Sequence, residues 1–248
     1  MTRWKLTIEY RGTRYAGWQM QADGVPTVQQ KIEDAIFGFS QTRVRVTGAG
    51  RTDSGVHARG QVAHFDLDKD MSGYEIAKAI NAFLREEDIS IIKAEEVPDD
   101  FHARFGAKHK LYTYSILNRP AKPAIDDGLV WHIGKKLDTD AMQEAANHLI
   151  GEHDFTSFRA QMCQAKSPVK KIDDLKVEAM GDYIFIHAHG QSFLHHQVRN
   201  IAGTLVLVGE GKWTPDDVKA ALEKRDRAAA GITAPPQGLS LIYINYEQ

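Results

Sequence analysis

Cysteine is almost missing from this 248-residue chain. Cys163 stands alone, which excludes an internal disulfide framework and any multi-cysteine zinc or iron–sulfur site. Long apolar runs are missing too: the longest surrounds Leu205 to Val208, far short of the ~20 residues that a membrane-spanning helix needs. The opening MTRWKLTIEYRG has no apolar core of the secretory kind. A surplus of charge is also absent, since 31 Lys and Arg meet 33 Asp and Glu for a net −2. That balance excludes a uniformly basic nucleic-acid coat but leaves local patches open. Hydrophobic residues at 42% and charged residues at 26% suffice for a sizeable core. The expectation is a soluble, cytoplasmic protein of one large domain or two small ones, at roughly 150 residues each.

The charge is distributed in blocks. Residues 1–60, 101–125 and 159–199 carry +4, +5 and +2, whereas 61–100 and 126–158 carry −7 and −5. Such blocks suit a protein with one basic and one acidic face, although acidic solvated helices give the same pattern.

Trp4, Leu6, Ile8 and Tyr10 alternate with polar residues, the signature of a half-buried strand. A loop rich in Gly and Arg, RGTRYAGWQMQADG, leads to Thr27 and Gln30, a capping-box pair that opens a helix to about Ser40. Further strands are predicted over 43–47, 61–66 and 89–96, with a helix from the Ser72/Glu75 box to about Leu84. The second half repeats the theme: strands over 110–117, 171–179, 183–189 and 239–246, and helices over 138–149 and 194–208. A further helix is opened by Thr214 and Pro215. Too few β-α-β units exist for a parallel barrel. The fold class expected is α+β: two similar halves, 1–105 and 106–248, sharing a mostly antiparallel sheet with a basic central cleft.

Three constellations could carry chemistry. In Gly48-Ala49-Gly50-Arg51-Thr52-Asp53-Ser54-Gly55-Val56-His57-Ala58, glycines let the backbone approach a ligand, and Asp53 can serve as nucleophile or base beside Arg51. An Asx turn is the plainer explanation of the same residues. The P-loop spacing is absent. On the strand Lys110-Leu111-Tyr112-Thr113-Tyr114, alternation sets Lys110, Tyr112 and Tyr114 on one face, where rings could stack on bases or fill the core. Arg199 sits in an otherwise apolar helix and needs a partner; Asp53 is an attractive one. His187, His189, His195 and His196 offer imidazoles without the ligand spacing of a zinc site, and Cys163 has no nucleophile context.

Several motifs in order resemble the tRNA pseudouridine synthase A family. They are Tyr10-Arg11-Gly12-Thr13, Gly17-Trp18-Gln19, Gly50 through Ala58, Lys110 through Tyr114, His153-Asp154-Phe155-Thr156-Ser157-Phe158, Phe193-Leu194 with Val198 through Ile201, Ala234-Pro235-Pro236 and Gly238-Leu239. Arg11 stands where members often carry Asp, and Gln197 where many carry Met. The resemblance implies isomerisation of uridine to pseudouridine at positions 38, 39 and 40 of the tRNA anticodon stem-loop, by a cytoplasmic homodimer without cofactor or metal. It implies Asp53 as the catalytic carboxylate, Arg51 in base flipping, and Tyr112 in uracil stacking and removal of the C5 proton. Arg199 would partner Asp53, and Tyr112, Leu239, Arg14 and Lys110 would contact the substrate. A non-catalytic RNA-binding module and a metal-dependent hydrolase built on the four histidines are the competing readings.

Overall fold

A computed structural model describes residues 1–21 and 24–247. Two positions of the early glycine-rich loop, Ala22 and Asp23, thus lie outside the described residues. The chain divides into two compact units, Met1–Lys108 with Leu241–Gln248, and His109–Ser240. The division thus falls three residues beyond the expected 105, and the C-terminal strand from Leu241 onward belongs to the first unit instead of the second.

The first unit begins with β1 (Thr2–Tyr10), whose alternation buries Trp4, Leu6, Ile8 and Tyr10. Thr27 then caps α1 (Val28–Ser40) by accepting a hydrogen bond from the Gln30 amide. The next strand is shorter than expected. Only β2 (Thr47–Gly48) forms where 43–47 was predicted, because α1 side chains occupy the backbone of Val46. Its N–H donates to Glu33 Oε1 at 2.9 Å, and its carbonyl accepts from the buried Gln29 Nε2 at 2.9 Å. These bonds take the place of a strand partner. Strand β3 (His57–Leu67) starts four residues before the predicted 61 and is buried on both faces. Ser72 and Glu75 make the anticipated reciprocal box at the start of α2 (Gly73–Phe83), and β4 (Ile89–Val97) follows. β1 lies between β3 and β4, antiparallel to both, with Trp4 opposite Phe65 and Leu6 opposite Ala63. Ile32 and Ile36 of α1 and Ile76 and Ile80 of α2 complete the core.

The second unit runs through β5 (His109–Leu117), β6 (Trp131–His132), α3 (Thr139–Asn147), β7 (Gly151–Asp154), β8 (Val169–Ile172), β9 (Asp174–Met180) and β10 (Tyr183–Gly190). Helices α4 (Gln197–Gly209) and α5 (Pro215–Lys224) follow. Antiparallel pairing orders the strands β5-β10-β9. The strand expected over 171–179 breaks at Asp173, whose carboxylate turns to Lys171 and His109 while β8 pairs instead with β7. The helix expected from 194 starts at Gln197, because His196 adopts φ +63° and ends the preceding turn. Strand β11 (Leu239–Asn245) leaves this unit after Ser240, and its remainder belongs to the first. The architecture is α+β. No helix among the described residues is long and apolar enough to cross a membrane.

Candidate active site

Asp53 sits on the loop between β2 and β3, half-buried, with Arg51 and Ser54 exposed beside it. The loop is held from behind. Thr52 is buried and its Oγ1 hydrogen-bonds the Tyr10 hydroxyl at 2.8 Å, while its carbonyl accepts the Trp18 amide at 3.1 Å. Gln61 Nε2 donates to the Gly50 carbonyl at 3.0 Å, and Ser54 Oγ donates to the Tyr15 carbonyl at 3.2 Å. Burial pushes the Tyr10 phenol up to about 12, so it stays a neutral hydrogen-bonding post across the working pH range.

Close approach explains two of the glycines. A Cβ on Gly12 would lie 1.9 Å from the Val56 carbonyl oxygen, and one on Gly17, at φ +91°, would lie 2.5 Å from that of Thr52. The Gly12 amide also donates to His57 Nδ1 at 2.9 Å, so the segment after β1 and the Asp53 loop form one packed unit. The Val56 amide closes a turn on the Asp53 carbonyl at 3.2 Å. The loop is thus both a turn and a presented carboxylate, and the two sequence readings are compatible. Arg14 lies exposed on the short helical turn Gly12–Arg14, with Nη1 3.3 Å from the Glu86 carbonyl oxygen and 3.9 Å from Asp88 Oδ2.

In the second unit, Lys110, Tyr112 and Tyr114 share one face of β5, but the tyrosines differ. Tyr114 is wholly buried, donates to the Pro235 carbonyl at 2.7 Å and meets Trp131 edge-on. Burial raises its phenol well above the ordinary value, against the opposing charge of Arg199. Tyr114 is therefore a structural ring. Tyr112 is less deeply placed, its ring edge-on to Phe193 with centroids 5.4 Å apart. Arg199, in the first turn of α4, donates from Nε to the Ala234 carbonyl at 2.8 Å. Leu239 follows the short turn Pro236–Gly238 and is buried.

Two of the four candidate histidines, His187 and His189, face the other way. His187 and His189 share the β-sheet face of Thr113 and Leu111, opposite Tyr112. His187 Nδ1 is hydrogen-bonded to Thr113 Oγ1 at 2.9 Å, and burial lowers its pKa. His189 stacks on His109 at 5.1 Å with planes 12° apart, close to Asp173. Near-parallel rings hold their in-plane lone pairs side by side instead of converging, and Lys171 Nζ lies 3.0 Å from Asp173 Oδ1. This cluster is poorly shaped for a catalytic metal.

Comparison with known proteins decides the family. A model described as tRNA pseudouridine synthase matches residues 6–106 and 145–247. The chain belongs to the tRNA pseudouridine synthase family. It is 52% identical over 246 residues to tRNA pseudouridine synthase A of Rhodospirillum rubrum, covering 99% of this chain and 88% of the relative. The enzyme of that name from Caulobacter vibrioides strain NA1000 is 52% identical with 99% of both chains covered. That from Bartonella tribocorum is 50% identical over 99% of this chain and all of its own. A solved Cbf5-Nop10-Gar1 complex aligns with 96% of this chain and 57% of its own at a TM-score of 0.35 and 10% identity, too distant to bear on the fold.

Pseudouridine synthases of this family are isomerases, and this chain is such an enzyme. Not all of its supporting residues are legible in the sequence. Tyr10 reads as a member of an alternating strand and of the Tyr10-Arg11-Gly12-Thr13 motif, and Gln61 as the first residue of a strand; their hold on the Asp53 loop depends on partners 42 and 11 residues away.

Proposed function

We propose that the chain converts uridine to pseudouridine at positions 38, 39 and 40 of the tRNA anticodon stem-loop, with Asp53 as its catalytic carboxylate. The observation that carries this reading is the Asp53 loop: a rigidly backed turn presents one half-buried carboxylate beside an exposed arginine. Family membership supports assigning the isomerisation to that carboxylate.

The target base stands in or beside a duplex, so it must be extruded at a cost of a few kcal/mol in lost stacking. Arg51 fills the vacated space, and its planar guanidinium can stack and hydrogen-bond there. Tyr112 stacks on the uracil. The N1–C1′ bond then breaks, the base turns while still held, C5 bonds to C1′, the C5 proton leaves with the help of Tyr112, and N1 takes up a proton from solvent. Asp53 acts on the ribose, by attack at C1′ or by removal of a sugar proton to give a glycal; a 2′-deuterium isotope effect separates the two. Arg199 serves as the cation for the Asp53 carboxylate. Leu239 and Tyr112 keep water from the sugar intermediate, which hydrolysis would turn into an abasic site. Lys110 and Arg14 contact the RNA backbone.

The enzyme acts as a cytoplasmic homodimer in this reading; sedimentation at working concentration tests the dimer. The function is tested by incubating the protein with unmodified tRNA transcript and mapping pseudouridine. Product at 38–40 is expected. Product confined to another arm overturns the assigned positions, and binding without product favours the RNA-binding module.

A further inference from the structure

Arg227 is a partly buried arginine whose hydrogen-bond partners among the described residues are four neutral oxygens. It stands at the start of the short turn Arg227–Ala229. Nη1 donates to the carbonyls of Ala230 at 3.4 Å and Gly231 at 2.9 Å; Nη2 donates to Asn200 Oδ1 and Thr233 Oγ1, each at 3.1 Å. Desolvation lowers its pKa from a value so high that the charge persists. A cation placed there is costly to desolvate, and a small apolar side chain would avoid the cost. What it gains is geometry: a fixed planar fork that spans both a helix and the backbone strap following it.

The strap covers residues 230–238. Arg227 ties it at 230, 231 and 233. Thr233 Oγ1 donates to Asn200 Oδ1 at 2.7 Å, and Asn200 Nδ2 donates to the Phe158 carbonyl at 2.8 Å, which sets the orientation of the amide. The Gly231 amide donates to Thr204 Oγ1 at 3.0 Å. Gly203 has no Cβ because one would lie 1.9 Å from the Ile232 carbonyl oxygen, so the strap lies directly on α4. At 234 the strap meets Arg199, which donates from Nε to the Ala234 carbonyl while the Ala234 amide donates to the Arg199 carbonyl at 3.1 Å. At 235 it accepts the Tyr114 hydroxyl, and Gly238 lies against the Tyr114 ring. Leu239 comes next.

We propose that Arg227 is a positioning residue for the reaction: it fixes the strap whose Ala234 carbonyl aims the Arg199 guanidinium and whose continuation places Leu239. The inference rests on the roles assigned above to Arg199 and Leu239. Lysine keeps the charge but cannot reach four acceptors with one planar fork, so Arg227→Lys loosens the strap at 230, 231 and 233.

The test compares wild type, Arg227→Lys and the milder Thr233→Val on unmodified tRNA transcript. It reads single-turnover rate, tRNA Kd and thermal unfolding, and repeats Arg227→Lys in an Arg199→Lys background. Arg227→Lys is expected to slow the chemical step about tenfold or more, and Thr233→Val about threefold, with Kd within about twofold. In the Arg199→Lys background the second loss shrinks to under about twofold, because the two residues act on one geometry. A rate per folded molecule within about twofold of wild type for both variants overturns the proposal, as does full additivity with Arg199→Lys. Should Arg227→Lys not fold, Thr233→Val decides by the same criteria. Failure of wild type to form pseudouridine overturns the functional reading itself and the inference with it; failure of the variants alone overturns only the inference.

Discussion

Asp53 owes its placement to groups buried behind its loop. Tyr10 and Thr52 bond behind it, Gln61 grips Gly50, and Trp18 reaches the Thr52 carbonyl. Tyr10→Phe leaves Thr52 Oγ1 short of a buried partner and is expected to lower unfolding free energy by about 1–2 kcal/mol, measured by urea denaturation. Arg51→Lys should lose most turnover while tRNA binding survives, because an ammonium neither stacks nor bonds bidentately; a wild-type rate removes Arg51 from base flipping. At this scale the sequence was uneven. Glycines around Asp53 and the alternation of Tyr112 and Tyr114 were legible, since both are local patterns. Which tyrosine is core was not, because it depends on Pro235 and Trp131, remote in sequence. Arg227 left no trace, since half its partners are backbone carbonyls that carry no residue signature.

At the scale of elements, caps were read correctly at Ser72 and Thr214, where side chain and backbone lie within one turn. The boundaries differ at Val46, where the distant Glu33 and Gln29 take the backbone bonds of a strand, and at α4, whose start is delayed by the left-handed backbone of His196 just before it. Gly12→Ala should disrupt the join between the β1 end and the Asp53 loop, since the Val56 carbonyl would have to move; loss of both stability and turnover is expected. The β1–β3 pair carries a testable pH dependence. Arg3 lies 2.7 and 2.9 Å from the two Asp66 oxygens and holds that carboxyl below its ordinary range. The folded protein then binds this proton less tightly than the unfolded chain, so the stabilisation is present above the unfolded pKa near 4 and is lost as pH falls through the folded value. Asp66→Asn should cost up to about 1 kcal/mol at pH 7, given the partial exposure of the pair, and the difference should close below about pH 4. An equal deficit at pH 7 and pH 3 contradicts it.

On the whole-molecule scale, net charge misdirects. A chain at −2 offers no general attraction to RNA, yet Arg51, Lys110 and Arg199 fall in the positive blocks 1–60, 101–125 and 159–199. Binding through such local patches should still release counterions, so tRNA Kd is expected to rise steeply between low and physiological salt; a flat response contradicts that basis of recognition. The division of the chain was only partly legible, because nothing local in 239–246 reveals that Leu241 onward returns to the first unit. The claim on which all three scales depend is that Asp53 performs the isomerisation. Release of the C5 proton from tRNA labelled with tritium at uridine C5, measured for wild type and Asp53→Asn at matched tRNA occupancy, tests it most directly. Release by wild type and none above background by Asp53→Asn, with tRNA still bound, is predicted; substantial release by the variant contradicts the assignment.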